Sequence, residues 1–261
     1  MAIVNATPDS FFASSRTQSH DAVAERVRQA IEEGAAIVDI GGYSSRPDAE
    51  DVSVEEEWSR VEMALTATRA VSGDIPISID TFRTEIVRRT VEQFGEVIVN
   101  DITAGEGDDE MLATVAKLGV PYIAMHMRGT PQTMQQQAQY NGVTATVVAE
   151  LRERLRAIAE AGLELKRVAL DPGFGFAKTV EHNFELLAGL HELTALGQPL
   201  LVGVSRKSMI YKTLGITPEE SLAATQAIHW EALQQGATLL RVHDVREAVE
   251  TIKLYEKFTK R

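Results

Sequence analysis

Gly119-Val120-Pro121-Tyr122-Ile123-Ala124-Met125-His126 contains a glycine, a short apolar run and the polar residue that stops it. An apolar run this short, with no polar face, suits a parallel strand buried on both sides. The pattern repeats in both directions along the chain. Upstream stand Ile3-Val4 ending on Asn5, Ile37-Val38 on Asp39, Ile77-Ser78-Ile79 on Asp80, and Val97-Ile98-Val99 on Asn100. Downstream stand Val168-Ala169-Leu170 ending on Asp171, Leu200 to Val204 on Ser205, and Leu239-Leu240 on Arg241. Gly34, Gly73, Gly95, Gly119, Gly162, Gly197 and Gly236 precede seven of these runs, where a left-handed residue would end the preceding helix. Strands alternating with helices to the end predict an α/β chain folded as a (β/α)8 TIM barrel, with its chemistry where the strands stop.

Such a barrel takes about 250 residues, and 261 residues are expected to form a single domain, 1–261, with no linker. The chain is 44% hydrophobic and 25% charged, the balance of an ordinary water-soluble globular protein. No apolar run nears the roughly 20 residues of a membrane span, and no signal-peptide pattern opens the sequence. The absence of cysteine excludes disulfides and thiolate metal sites, and fits a reducing, cytoplasmic setting. A net charge of −12 argues against a nucleic-acid-binding surface, so binding an anion needs a local basic cluster.

Between the strands lie amphipathic patterns. Val143, Val147, Leu151, Leu155 and Ile158 recur at helical spacing and predict one buried face. Ser53 with Glu56 forms a capping-box pattern ahead of a helix over 54–72. Thr217-Pro218-Glu219-Glu220 predicts a helix start with Thr217 as N-cap and Glu220 closing the box. No glycine-rich dinucleotide fingerprint is present, which counts against an open doubly wound sheet.

In a barrel, Asn5, Asp39, Asp80, Asn100, His126, Asp171, Ser205 and Arg241 meet at the C-terminal mouth. One polar residue at a strand end ordinarily caps a loop. Three carboxylates, two carboxamides and several basic groups converging exceed what capping needs. Arg46, Lys207, Arg241 and His243, with the hydroxyls of Ser44 and Ser45, form a cationic group suited to a phosphate ester. Alternatively, Arg46 and Arg241 pair with acids such as Asp39 or Asp244. Asp80, Asn100 and Asp171, followed by Lys207, form a second group. They suit a heterocycle rich in N–H donors, or else Asp80 and Asp171 work as an acid–base pair. No phosphate-loop or zinc-binding histidine spacing occurs. His126 is expected to be structural.

Read in order, Asn5-Ala6-Thr7-Pro8-Asp9-Ser10-Phe11, Asp39-Ile40-Gly41-Gly42 with Ser45-Arg46-Pro47, Ser78-Ile79-Asp80-Thr81 and Asn100-Asp101-Ile102 resemble the bacterial dihydropteroate synthase family. The resemblance continues through Met125-His126-Met127-Arg128-Gly129-Thr130-Pro131, Asp171-Pro172-Gly173-Phe174-Gly175-Phe176, Ser205-Arg206-Lys207-Ser208 and Arg241-Val242-His243-Asp244. It implies condensation of 6-hydroxymethyl-7,8-dihydropterin pyrophosphate with 4-aminobenzoate, giving 7,8-dihydropteroate and pyrophosphate. It further implies Mg²⁺ as cofactor, sulfonamides as competitive inhibitors and a homodimer, with neither nucleic acid nor membrane as partner. By the same resemblance Asp80, Asn100, Met125, Asp171, Gly203 and Lys207 bind the pterin. Ser45, Arg46, Arg241 and His243 hold the pyrophosphate, and Asn5 contacts the metal. Phe11, Pro47, Phe176, Lys207 and Ser208 border the 4-aminobenzoate pocket.

Three positions depart from the family pattern: Tyr43 replaces a usual glutamate, Ser45 a threonine and Ala177 a glycine. A pterin-binding methyltransferase domain of the corrinoid type shares the barrel and the acidic pterin pocket. It has no need of Arg46, Arg241, His243 and the 205–208 run, and these count against it. A Schiff-base lyase built on Lys207 is a further alternative.

Overall fold

The computed structural model describes residues 1–6, 20–44 and 51–259. Among them the parallel strands are β1 (Ala2–Asn5), β2 (Val38–Gly41), β3 (Ile77–Asp80), β4 (Ile98–Asp101), β5 (Tyr122–Met125), β6 (Val168–Asp171), β7 (Leu201–Val202) and β8 (Leu239–Leu240). β1 to β6 pair consecutively in one sheet, and β7 pairs with β8. Single bridges, Leu170 with Leu200 and Ala2 with Val242, join the two pieces into a ring. The fold is the expected α/β TIM barrel.

The helices are α1 (His20–Glu32), α2 (Val54–Val71), α3 (Thr84–Phe94), α4 (Met111–Leu118), α5 (Val143–Glu160), α6 (Val180–Ala188), α7 (Ser208–Leu214), α8 (Leu222–Gln234) and α9 (Val245–Thr259). None of the described helices is long and apolar enough to cross a membrane. The α5 positions named above are all buried. The strands bury alternate residues against these helices: Val38 and Ile40, Ile77 and Ile79, Tyr122 and Ala124, Val168 and Leu170 all join the main core. The residues between them must point into the barrel, because successive strand side chains face opposite ways. Ile98, Ile123, Ala169, Leu201 and Leu239 form an apolar plug there, and the polar stops stand at the same parity except His126, which follows the parity of Ala124 and turns outward to Glu150 of α5 instead of joining the mouth.

Several expectations need correction. β2 runs on to Gly41, so Asp39 lies inside the barrel one layer below its rim. β4 likewise continues past Asn100 to Asp101. Of the seven helix-ending glycines, all but Gly73 have positive φ; Ser72 caps α2 instead. Ser53 Oγ accepts the Glu56 N–H, but the Glu56 carboxylate turns to Arg60, leaving half a capping box. Thr217 and Glu220 do exchange both box hydrogen bonds, yet on a 3₁₀ turn, Glu219–Ser221, that precedes α8. Pro218 permits the turn, and the α-helix starts only at Leu222.

Candidate active site

Parallel register aligns the rim. Asn5 is opposite Gly41, Gly41 opposite Asp80, and Asp80 opposite Asn100, while Met125 is opposite Asp171. Two glycines keep the backbone close here. A Cβ on Gly42 would stand 2.8 Å from the Glu57 carbonyl oxygen, and one on Gly173 would lie 1.9 Å from that of His126. Any side chain at Gly173 would push apart the loops after β5 and β6.

A cavity of about 670 Å³ opens at this mouth. Asn5, Gly203, Ser205, Lys207, Ser208, Arg241, His243 and Phe176 line it, drawn from the ends of β1, β6, β7 and β8. Asp80, Asn100, Met125 and Asp171 are outside its lining, and Asp80 reaches it through Arg241. Met125 packs with Ile102, Met127, Met134 and Ala177, joined by Phe82 and Phe176, as an apolar wall. The candidates Phe11, Ser45, Arg46 and Pro47 lie outside the described residues.

Arg241 is the centre of the electrostatics. Its Nε donates to Asp39 Oδ2 at 2.6 Å and its Nη2 to Asp80 Oδ2 at 2.7 Å. The alternative raised from sequence, pairing with Asp39, therefore describes this state, and Asp80 shares the same guanidinium. Asn100 Nδ2 also faces Asp39, 3.4 Å from both oxygens. Burial opposes the charge on Arg241, but the two carboxylates raise its pKa above the ordinary guanidinium value. One cation between two carboxylates leaves a buried negative charge. Burial, with Asp39, Glu57 and Asp101 nearby, raises Asp80 to about 7 against the pull of Arg241.

A stability prediction follows from Asp80. The unfolded chain releases this proton near the ordinary 3.8, whereas the folded chain keeps it to about 7. At this site the folded protein thus binds more protons between those values, and the stability Asp80 contributes falls as pH rises across that window. Asparagine does not titrate. The melting temperature of Asp80→Asn, measured relative to wild type, is expected to rise between pH 5 and pH 8; a constant difference would contradict the raised pKa.

Asp171, at the end of β6, is buried and accepts the Gly173 N–H on Oδ1 at 2.7 Å. Its second oxygen has no hydrogen-bond donor among the described residues. Burial raises its pKa, against the attraction of Lys207. Lys207 leads into α7, donates to the Phe174 carbonyl and holds its Nζ 4.7 Å from the Phe176 ring centroid. Burial lowers its pKa to about 8, with Asp171 opposing.

Two sequence assignments of charge change. His243, grouped with the cations, is neutral, because burial and then Arg241 lower its pKa to about 3. Arg206, part of the basic run, pairs doubly with Asp244 at 2.8 Å and donates to the Pro218 and Glu219 carbonyls. It ties the β7 loop to the β8 loop. Two buried charges escaped the sequence reading. Glu57 accepts from Thr81 Oγ1 and Arg83, joining α2 to the β3 loop. Lys178 is buried beside His126, in a loop whose lysine gives no outward signal of burial. Tyr43 stands edge-on to Phe82, with ring centroids 5.0 Å apart, and with Arg83 and Gln132 it lines a separate cavity of about 480 Å³.

Comparison with known proteins adds to this geometry. Residues 1–243 match the family described as pterin binding enzyme. Dihydropteroate synthase of Escherichia coli K12 is 41% identical over 259 residues, spanning 98% of this chain and 90% of that protein. The enzyme of Neisseria meningitidis serogroup C is 42% identical over 265 residues, spanning 98% and 91%. Among solved structures, Yersinia pestis dihydropteroate synthase with a sulfonamide drug complex superposes with a TM-score of 0.93 at 34% identity, covering 100% of this chain and 94% of that one. The Xanthomonas albilineans enzyme with 4-aminobenzoic acid gives 0.90 at 40% identity, covering 100% and 92%. The chain belongs to the dihydropteroate synthase family of pterin-binding enzymes.

Proposed function

We propose that this chain joins 4-aminobenzoate to 6-hydroxymethyl-7,8-dihydropterin pyrophosphate, releasing pyrophosphate and 7,8-dihydropteroate, within one pterin-binding domain over 1–261. The observation that carries this is the division of the mouth. Buried Asn100 and Asp171 on β4 and β6 stand with the partly exposed Asp80 of β3, while a cavity edged by Arg241, Lys207 and Ser205 opens at the ends of β1, β6, β7 and β8.

In this assignment Asp171 accepts N–H bonds from the guanidine-like ring edge through its unbonded oxygen, with Asp80 and Asn100 beside it. Met125 and Gly203 leave a flat slot for the ring. Positive charge develops on the pterin methylene as the C–O bond to pyrophosphate breaks, and the fixed carboxylates stabilise it. Arg241, Lys207 and Ser205 face the departing oxygens, together with neutral His243. The arylamine nitrogen then forms the C–N bond and loses one proton. An arylamine is uncharged at neutral pH, so its attack needs no strong base. Phe176, Lys207 and Ser208 border its pocket; Phe11 and Pro47 there, and Ser45 and Arg46 at the pyrophosphate, are assigned from the family pattern alone.

Asn5 is the candidate metal contact. Among the described residues no three His, Cys, Asp or Glu groups gather into a metal site. Mg²⁺ keeps several waters and is held by one or two protein oxygens together with substrate phosphates, so the Asn5 carboxamide oxygen at the end of β1 would be a sufficient protein contact. When bound, the ion supplies positive charge to the leaving oxygens. The homodimer is carried over from the family alone, and the lack of cysteine supports a cytoplasmic setting. Pyrophosphate release is expected to require both substrates and to stop when Mg²⁺ is chelated. Folded protein that releases no pyrophosphate with both substrates and Mg²⁺ present would refute the assignment.

A further inference from the structure

The loop after β6 carries a buried lysine that the site as described leaves unused. Lys178 is 4% exposed, and each of its ammonium hydrogens has an acceptor: Gly173 O, Phe176 O and His126 Nδ1, all at 3.0 Å. His126 accepts through Nδ1, so its own proton sits on Nε2, 2.7 Å from Glu150 Oε2. Burial holds the imidazole neutral by lowering it to about 4. Glu150 stays ionised, because His126 and Arg128 outweigh its burial and hold it at about 2. The result is a continuous relay from α5, through β5, to the loop after β6.

Burial lowers Lys178 to about 7 against the attraction of Asp171, and in its ammonium form it spends two of its three bonds on loop carbonyls. The loop needs holding. Gly173, Gly175 and Ala177 take φ values of +69°, +82° and +49°, so alternate residues are left-handed and one of them carries a side chain. Lys178 grips this loop at Gly173 and Phe176. Lys207 grips it from the other side at Phe174 and also covers the Phe176 ring. Asn183 Oδ1 takes the remaining Gly175 N–H at 2.7 Å.

We propose that Lys178 is a positioning residue for the arylamine pocket: held by His126 and Glu150, it fixes the 173–177 loop and thereby the place of Phe176. It acts through Phe176 and touches no substrate. This rests on the assignment of Phe176 to the 4-aminobenzoate pocket. Lys178→Met keeps the length and removes the three bonds, so Phe176 is released, while Asp171 keeps the Gly173 N–H bond and loses only one of the cations that favour its charge, after Lys207 and Arg241.

Steady-state kinetics with both substrates varied test this. Lys178→Met is expected to raise the KM for 4-aminobenzoate roughly tenfold, leaving that for the pterin pyrophosphate within about twofold. Glu150→Gln, which loosens the relay from its far end and keeps the side-chain shape, is expected to give the same bias more weakly. It also serves if the methionine variant does not fold. Unchanged 4-aminobenzoate KM in the folded variants, or equal rises in both KM values, overturns the proposal. Phe176→Ala separates the two failures. If it raises the 4-aminobenzoate KM while the relay variants do not, Lys178 has no such role; if it has no effect either, the pocket assignment falls, and the proposal with it.

Discussion

Asp171→Asn is expected to weaken binding of the pterin by about a thousandfold or more while leaving the protein folded. The two halves of that expectation have separate causes. The asparagine oxygen can still accept the Gly173 N–H, now bonded to Asp171 Oδ1 at 2.7 Å, so the turn after β6 survives. The other position becomes an NH₂ that meets the ring's N–H donors with a donor. A buried site built to accept hydrogen bonds rejects strongly when its partner is left unpaired. Removing the charge also relieves the burial that raises the Asp171 pKa, so thermal stability should not fall. Calorimetric titration with a pterin, alongside a melting curve, checks both. Wild-type affinity in the folded variant would remove Asp171 from the ring-binding role.

Arg241→Ala is expected to act on stability and on substrate together. It leaves Asp39, wholly buried, facing Asp80 with no cation between them. Breaking a buried pair in this way costs about 3–5 kcal/mol. In a chain of this size that corresponds to a drop in melting temperature of roughly 10 °C. Adding Asp39→Asn to Arg241→Ala should recover part of the loss, since one of the stranded charges is gone. Affinity for the pterin pyrophosphate should fall by a larger factor than affinity for the bare pterin, because the guanidinium edges the cavity assigned to the leaving group. Equal losses for the two ligands would contradict that assignment. No recovery in the double variant would contradict the stabilising role of the ion pair.

The Arg241 case shows where reading the chain stops. Its basic character and its place after the last apolar run are plain in the sequence. Its partners lie 202 and 161 residues away, and nothing local distinguishes an arginine waiting for phosphate from one already held by two acids. Asp39 likewise ends an apolar run, yet β2 continues two residues further and carries it below the rim. His243 belongs with the cations by composition and is made neutral by its burial.

Strand–helix alternation, the buried face of α5 and the set of polar residues at the strand ends were legible from the order of residues. These are local properties: a run's length, its periodicity and its stop depend on near neighbours. Strand parity further decides that Asn5, Asp80, Asn100 and Asp171 share the inside of the ring. Which acid sits at which depth, which cation it pairs with, and that Lys178 is buried against His126 were decided only by tertiary structure. The reason is that pairing register, ring closure and loop crossing set those distances, and they set burial as well. Burial in turn determines whether a titratable group such as His243 carries its charge.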